Sequence, residues 1–514
     1  MASPLSNITI VGGGTTGWLA ALSLVTRLQS AVQRGDLSIH LVESERIPII
    51  GVGESLSPSM ATTLQNLQIN EDEFILETDA TFKLAGYFVG WDLAEDGTPT
   101  SWVNPFVGFM TAGWEFERFE LTGGAYGEGP DYARVVSPCC EAIERYKSPK
   151  VVGQKPFEYV LRHSYHTNAA AFAPFLRKQA EARGVKRTGA DVTGARRDER
   201  GHITALTLAD GPDVPVELVI DASGFDSVLH GKVLNVPMID YSHILLNDRA
   251  VVTQLAHEQP DARIEPATRA TALPHGWAFR VPLYHRTGNG FIYSSQHCSD
   301  EDAAREFACY LGASARIEDM RVIPMRVGRT ARSWQGNCIA LGLAAGFVEP
   351  LEASAIFTVE TSLKWLMQYF PDTSWDPALR ERYNQRVTDL YDEVVDYISL
   401  HYRLSQREDT SYWQAQRHDM QASPLLEQNL AIWRHTLPTR GDFKSTSYFD
   451  ENTYLAALFG KGFYRGRNLQ PLRDVDAGNW RALRTNITNA HNRALASLPD
   501  HRAALTEIRQ RASA

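Results

Sequence analysis

One lysine stands in an apolar setting where a cation is not expected. Ala80-Thr81-Phe82-Lys83-Leu84-Ala85-Gly86-Tyr87-Phe88 surrounds Lys83 with aromatic and aliphatic neighbours. Gly346-Phe347-Val348-Glu349-Pro350-Leu351-Glu352-Ala353-Ser354-Ala355-Ile356 does the same for Glu352. A lysine desolvated by Phe82, Leu84 and Phe88 should have a lowered pKa, so that its neutral amine becomes accessible near neutrality. Either residue on its own reads more simply as half of a buried ion pair.

The start of the chain changes that balance. Gly12-x-Gly14-x-x-Gly17 follows the β-branched run Ile8-Thr9-Ile10-Val11 and precedes a helical stretch, Trp18 to Leu28. In such a loop Gly12 permits the tight turn, Gly14 lets a pyrophosphate approach the backbone, and Gly17 allows close helix–strand contact. Thr15 and Thr16 open the helix, whose free N–H groups face the diphosphate. A second strand, Ser38-Ile39-His40-Leu41-Val42, ends at Glu43, 43 − 14 = 29 residues past Gly14, where a carboxylate can bind ribose hydroxyls. No second fingerprint suited to NAD(P)H follows a strand.

Asn168 to Arg183 is expected to be an amphipathic helix with Phe172, Phe175 and Leu176 on one face. Three alternating segments, around Val192, over His202 to Leu208 and over Val214 to Ile220, predict a β-meander whose last strand runs into Asp221-Ala222-Ser223-Gly224. Pro58 behind Ser57 reads as the first residue of a capped helix reaching towards Leu67. Residues 92–160, rich in aromatics, Gly and Pro, read as an insertion covering the site. Beyond Ile356 the pattern turns helical over Glu360 to Tyr369, Pro377 to Arg403 and Ser423 to Arg434. Trp365, Trp375, Trp413, Trp433 and Trp480 in this part are expected to anchor helices against the rest. The division expected is 1–358 for the module that holds the dinucleotide and 359–514 for a helical substrate region.

Composition removes several classes. With 51 basic and 61 acidic residues among 514 the net charge is −10, which disfavours a phosphate-backbone surface and hence nucleic-acid binding. Five cysteines, Cys139, Cys140, Cys298, Cys309 and Cys338, show no metal spacing and suit a reducing compartment. No His spacing suggests a metal site either, and none is expected. The apolar run from Ile8 to Leu24 is broken by glycines and threonines and is no membrane span. The first seven residues lack a basic leader, so the expectation is a cytoplasmic protein.

Taken together these motifs resemble the flavin-dependent halogenases, best known from the tryptophan halogenases. Gly12 to Trp18 is similar to their flavin loop, and Gly51-Val52-Gly53-Glu54-Ser55 to the strap along the isoalloxazine. Thr81-Phe82-Lys83-Leu84 matches the catalytic-lysine segment, and Phe347 to Ile356 the glutamate and halide segment. Trp277-Ala278-Phe279-Arg280-Val281-Pro282 corresponds to Trp-x-Trp-x-Ile-Pro, with Phe279 and Val281 as departures. Asn337 to Gly346 stands where related monooxygenases bind the ribityl chain, with Gly342-Leu343 in place of Gly-Asp. The likeness runs from residue 8 to about 415, ending at His401-Tyr402 and Asp409 to Trp413.

The resemblance implies a glutathione-reductase/monooxygenase-like α/β fold, a Rossmann-type βαβ unit with a β-meander, and a mainly helical C-terminal substrate region. It implies FADH2 from a separate flavin reductase, O2, and a chloride or bromide ion oxidised through a flavin hydroperoxide to hypohalous acid. Lys83 would activate that acid by a hydrogen bond or as a haloamine, with Glu352 on the substrate side. Gly12, Gly14, Thr15, Thr16, Gly17, Glu43, Gly51, Gly53, Glu54, Gly342, Gly346, Phe347 and Ile356 would hold the flavin. Ser354 and Ala355 would supply halide-binding N–H groups, in a turn that departs from Glu-Ser-Thr-Gly and leaves a preference for bromide open. Phe106, Trp277, Phe279 and Pro350 would meet the aromatic substrate, Trp277 and Phe279 as a wall against hydroxylation. Asn104 replaces the histidine that usually opens the Phe106 segment. Free tryptophan is held in relatives by a Tyr-Tyr…Glu…Phe-Trp cassette. Tyr448-Phe449-Asp450-Glu451 lacks its closing pair, so an indole, a phenol or a larger indole compound is at least as good a substrate. A monomer or homodimer is expected. The competing readings are an aromatic hydroxylase on the same fold, which needs neither Lys83 nor Glu352, and a non-catalytic FAD-binding protein.

Overall fold

Ile8, Ile10 and Val11 are buried on a strand, Asn7–Val11, that lies parallel between Leu218–Asp221 and Ser38–Glu43. These three form the centre of a six-stranded sheet completed by Lys186–Gly189 on one side and Cys338–Ala340 and Trp334–Gln335 on the other. The computed structural model describes residues 3–47, 51–94, 96–106, 132–151, 153–465, 469 and 477–513. The helix Thr15–Arg27 buries Trp18, Leu22 and Val25, and packs on the helix Ala169–Glu181, whose Phe172, Phe175 and Leu176 are buried as their spacing requires. Asn168 caps that second helix by accepting from the Ala170 N–H.

The meander differs in one respect from the expectation. Val192–Arg197, Ile203–Leu208 and Val214–Pro215 make a three-stranded sheet, but the third strand stops there. Leu218–Asp221 belongs to the large parallel sheet, because its four residues are buried on both faces. The proposed insertion is also partly framework. Pro99–Pro105 pairs with Ala85–Leu93 at the edge of a seven-stranded sheet that includes Ala267–Leu273 and Gly276–Pro282. Residues 107–131 lie outside the described residues. Pro58 precedes a helix, Ser59–Asn66, yet Ser57 does not cap it: its hydroxyl meets Ser59 and Glu360.

A third, small sheet was not anticipated. Ser164–Thr167 is its centre, flanked antiparallel by Glu54–Ser55 and Thr81–Lys83. Lys83 is paired with Ser164 and Glu54 with Thr167, so one short strand sets the register of the strap against the lysine.

The helices Pro377–Arg403 and Pro424–Trp433 occupy the expected stretches, whereas Ser354–Gln368 opens ahead of the expected Glu360 and so runs across the division expected at 358–359. Pro377 follows the capping Asp376 and so fits the first turn. Trp365, Trp413 and Trp433 are buried, and one apolar cluster extends from Leu5 to Ile508. The side chain of Trp480 lies outside what is described. No helix among the described residues is long and apolar enough to cross a membrane.

Candidate active site

A cavity of about 1030 Å³ opens along the ends of the parallel strands, as α/β sheets favour. Gly12, Gly14, Thr15, Thr16, Glu43, Gly51, Gly53, Glu54, Gly342, Gly346, Phe347 and Ile356 all line it. Gly12 has φ +115°, and a side chain there would strike the Ala222 carbonyl, so only glycine fits. Gly14 is the reverse case: a Cβ on it would meet nothing within 4 Å. The bare backbone there faces open space at the start of the helix Thr15–Arg27, which has no side-chain cap and keeps its free N–H groups. Gly17 does not line the cavity; it packs against the Gly12 carbonyl, where a Cβ would clash. The glycine cradle, open N-terminus and elongated volume fit a dinucleotide such as FAD. Glu43 is not free: its carboxylate accepts from Trp18 Nε1 at 3.2 Å and from Arg187. Burial pushes the Glu54 carboxyl up to about 7, so the strap presents a group able to donate as well as accept.

The other half of the site lies behind a strained turn. Glu352 and Ala353 both have left-handed backbones, φ +65° and +59°, although neither is glycine. Such a conformation costs about 1–2 kcal/mol per residue and persists only where contacts hold it. Tyr448 donates its hydroxyl to the Glu352 carbonyl at 2.6 Å, while its ring stacks on Phe357. Glu352 Oε1 accepts from Asn104 Nδ2 at 2.9 Å and faces His401 Nε2 at 3.2 Å. Burial lowers the His401 pKa against the pull of Glu352, so a neutral imidazole donating through Nε2 is the form that fits. The turn leads directly into Ser354–Gln368, whose N-terminus has no side-chain cap; Ser354, Ala355 and Ile356 line the cavity.

Lys83 is buried on the strand Thr81–Lys83. Among the described residues its Nζ has one weak hydrogen bond, to the Leu56 carbonyl at 3.5 Å, and it sits 4.9 Å from the Phe106 ring centre. Burial pulls its pKa down to about 8, opposed in part by the nearby Glu352 charge. The strand is held from behind by the last helix, His501–Ser513: the Phe82 N–H donates to His501 Nε2 at 3.1 Å, and His501 Nδ1 reaches the Ile264 carbonyl at 3.0 Å.

Trp277 and Phe279 stand on alternate positions of Gly276–Pro282 and so on one face of it. Phe279 and Pro350 line the cavity; Trp277 is buried behind, its ring centre 6.2 Å from that of Phe279. Lys83, Glu352, Trp277 and Phe106 are not part of the cavity lining. The expected residues thus fall into two groups, those that line the cavity and those, Lys83, Glu352, Trp277, Phe106 and Gly17, that do not.

Sequence reasoning missed the residues that hold the pair: His401 as a partner of Glu352, Tyr448 as the lock on its carbonyl, and Glu349 as a second buried acid. Glu349 was visible three residues before Glu352 in the same apolar segment. The structure also brings together ligand atoms of His275, Cys298 and Glu306, within 4.8 Å of one another, where no metal site was expected. His275 Nδ1 and Glu306 Oε2 are 2.6 Å apart, a direct hydrogen bond that accounts for two of the three without an ion.

With this geometry in hand, comparisons define the class. The family model described as tryptophan halogenase matches residues 7–477. The tryptophan 7-halogenase RebH of Lentzea aerocolonigenes is 33% identical over 453 residues, 84% of this chain and 83% of its own. A solved tryptophan halogenase from Shewanella frigidimarina superimposes with a TM-score of 0.90 at 29% identity, covering 99% of this chain and 98% of the other. BrvH, a flavin-dependent halogenase from Brevundimonas sp. BAL3, gives 0.85 at 31% identity, covering 98% and 99%. The chain belongs to the tryptophan halogenase family. It is a flavin-dependent oxidoreductase that uses FADH2 and a halide ion to halogenate an aromatic substrate, with the reduced flavin drawn from a separate reductase.

Proposed function

We propose that Lys83 and Glu352 are the catalytic pair of this halogenase and that its substrate is an electron-rich aromatic held without a tryptophan-type amino-acid clamp. The observation that carries the first half is the state of Lys83: a buried amine whose one acceptor among the described residues is the weakly held Leu56 carbonyl, with the Phe106 ring centre 4.9 Å away. Bound reduced flavin supplies the oxidising equivalent by activating O2. The chain's residues do the rest. The N–H groups of Ser354 and Ala355, at an uncapped helix start, hold the halide. Trp277 and Phe279 keep the organic substrate from the flavin side. Lys83 donates a hydrogen bond to hypohalous acid, and Glu352, aligned by Asn104 and His401, stabilises the cationic ring as the halogen adds. Phe106 and Pro350 flank the substrate.

The second half rests on the region that would grip free tryptophan. Tyr448 spends its hydroxyl on the Glu352 carbonyl, Phe449 stacks on Tyr397 at 4.0 Å, and Asp450 caps the helix Glu451–Gly460. Those groups are committed inside the fold, which favours a neutral indole or a larger indole compound. Supplying FAD, a reductase, bromide or chloride and a panel containing indole, substituted indoles and tryptophan, with products read by mass spectrometry, tests both. Halogenated indole without halogenated tryptophan is expected; tryptophan as the better substrate rejects the neutral-substrate reading. Bromide is the expected preference, and mostly chlorinated product from equal halide concentrations rejects it.

We further infer a cytoplasmic monomer or homodimer, divided into a flavin module over 1–358 and a helical substrate region over 359–514. Fractionation and scattering in solution check the first two, and FAD binding by a chain cut back to residues 1–358 checks the division.

A further inference from the structure

Glu349 and Asn247 pose a problem of unmatched acceptors. Both side chains are buried to within 1%. Glu349 Oε2 accepts three donors: Asn247 Nδ2 at 3.0 Å, Trp277 Nε1 at 3.3 Å and the Tyr402 hydroxyl. The second hydrogen of the Asn247 amide goes to the Tyr402 oxygen at 2.9 Å. Glu349 Oε1 and Asn247 Oδ1, however, have no partner among the described residues. They are the remaining atoms of two planar groups already joined through Nδ2 and Oε2. An ionised carboxylate would leave both acceptors bare in a dry interior, at about 1–3 kcal/mol each. One proton on Oε1 would turn that bare acceptor into a donor, for which the unpartnered Oδ1 of the amide already bonded to the same carboxyl is the available acceptor.

We propose that Glu349 is held as a neutral carboxylic acid paired with Asn247, and that this pair is the positioning element for the Trp277 partition. Its surroundings agree. Trp277 faces it from the strand Gly276–Pro282, Tyr402 from the helix Pro377–Arg403 and Tyr412 from Ser411–His418, none of them a cation. Burial pushes the Glu349 carboxyl up to about 7, its three donors opposing. A neutral acid fixes the indole without placing a buried negative charge just ahead of the helix start assigned to the halide, where it would repel an anion. The positioning role rests on the reading of Trp277 as a partition; the proton does not.

The two parts are tested separately. Infrared spectra of the FAD-loaded protein at pH 6 should show the carbonyl stretch of a protonated carboxylic acid that Glu349→Gln removes. The band should fade as pH rises through neutrality, because the acid form is complete only below its pKa. A band absent at pH 6, or unchanged in Glu349→Gln, overturns the proton. For the partition, Glu349→Gln keeps a neutral planar group that can donate to Oδ1, so hydroxylated aromatic product should stay near the wild-type level. Glu349→Ala frees the indole of Trp277, and hydroxylated product should rise several-fold while flavin affinity and the melting curve report folding. A folded Glu349→Gln that hydroxylates as much as Glu349→Ala overturns the pairing. No rise in hydroxylated product from a folded Glu349→Ala overturns the positioning role, and no rise from Trp277→Ala rejects the partition reading itself.

Discussion

Two lysines buried in different regions show how the same side chain is used in opposite ways. Lys461 ends the helix Glu451–Gly460 and contacts both oxygens of Asp92, at 2.9 and 2.8 Å, with neither group exposed to water. It ties the helical region to the strand Ala85–Leu93. Lys83, equally buried, has a carboxylate nearby but no hydrogen bond to it; Glu352 is turned instead towards Asn104 and His401. Burial lowers both amines, yet Lys461 directs two donors to one carboxylate, whereas Lys83 has a single weak acceptor among the described residues. A paired buried lysine is architecture. An unpaired one is a destabilising feature that a fold retains for chemistry.

Breaking the structural pair should do the most damage. Asp92→Ala leaves Lys461 charged and alone, and about 3–5 kcal/mol of stability should be lost, measured by denaturant titration. Replacing both, as Asp92→Leu with Lys461→Met, should recover much of that loss, since two apolar groups need no mutual compensation. A full loss in the double variant would mean that the pair has a role beyond neutralising itself.

Lys83→Met should behave in the contrary sense. Halogenated product should fall by on the order of 10²–10³-fold, the scale of removing one aligned donor from a reacting centre. FAD should still bind, and stability should rise by about 1–3 kcal/mol as an uncompensated buried amine disappears. Product mass spectra and thermal melting check the two signs together. A destabilised Lys83→Met would place this lysine with Lys461, and the contrast would be lost.

How much of this could be read from sequence follows from how each region is made. The flavin cavity is built from backbone: Gly12, Gly14 and Gly17 act through what a Cβ would obstruct, and such constraints are local in the chain. The catalytic corner is built from side chains distant in sequence. Asn104 and His401 meet Glu352 from 248 and 49 residues away, and His501 supports the Lys83 strand across 419. No periodicity or spacing encodes such meetings; likeness to a family marked Lys83 and Glu352, but not what aims them. The strand Ser164–Thr167 was illegible for a related reason. Its four residues, Ser-Tyr-His-Thr, are all buried, so no alternation marks it, and polar members satisfied inside a sheet do not look like a core.

The pH profile sharpens the comparison further. For Lys83 the folded pKa, about 8, lies below its ordinary value of 10.5. The unfolded chain therefore binds more protons between those values, and stability should increase with pH from about 8 to 10.5 by about 3 kcal/mol. Activity should move the other way. If the ammonium donates to hypohalous acid, single-turnover halogenation falls about tenfold per pH unit above 8, the slope of one lost proton. A rate that rises to about pH 8 and then holds would instead make the neutral amine, and hence a haloamine, the working form. In Lys83→Met the inflection should vanish.

The smallest effect expected concerns the turn between the two regions. Tyr448→Phe keeps the ring stacked on Phe357, 4.1 Å away, and removes only the hydroxyl that meets the Glu352 carbonyl. One hydrogen bond to a neutral carbonyl is worth about 1 kcal/mol. Here it opposes backbone strain at Glu352 and Ala353, so its loss should loosen the carboxylate rather than unfold the protein. A several-fold drop in turnover number is expected, with little change in flavin affinity or melting temperature. The same change measured by melting alone would look negligible, because the strain it releases offsets the bond it removes. Activity lost in proportion to stability would show that Tyr448 supports the helix Glu451–Gly460 and not the aim of Glu352.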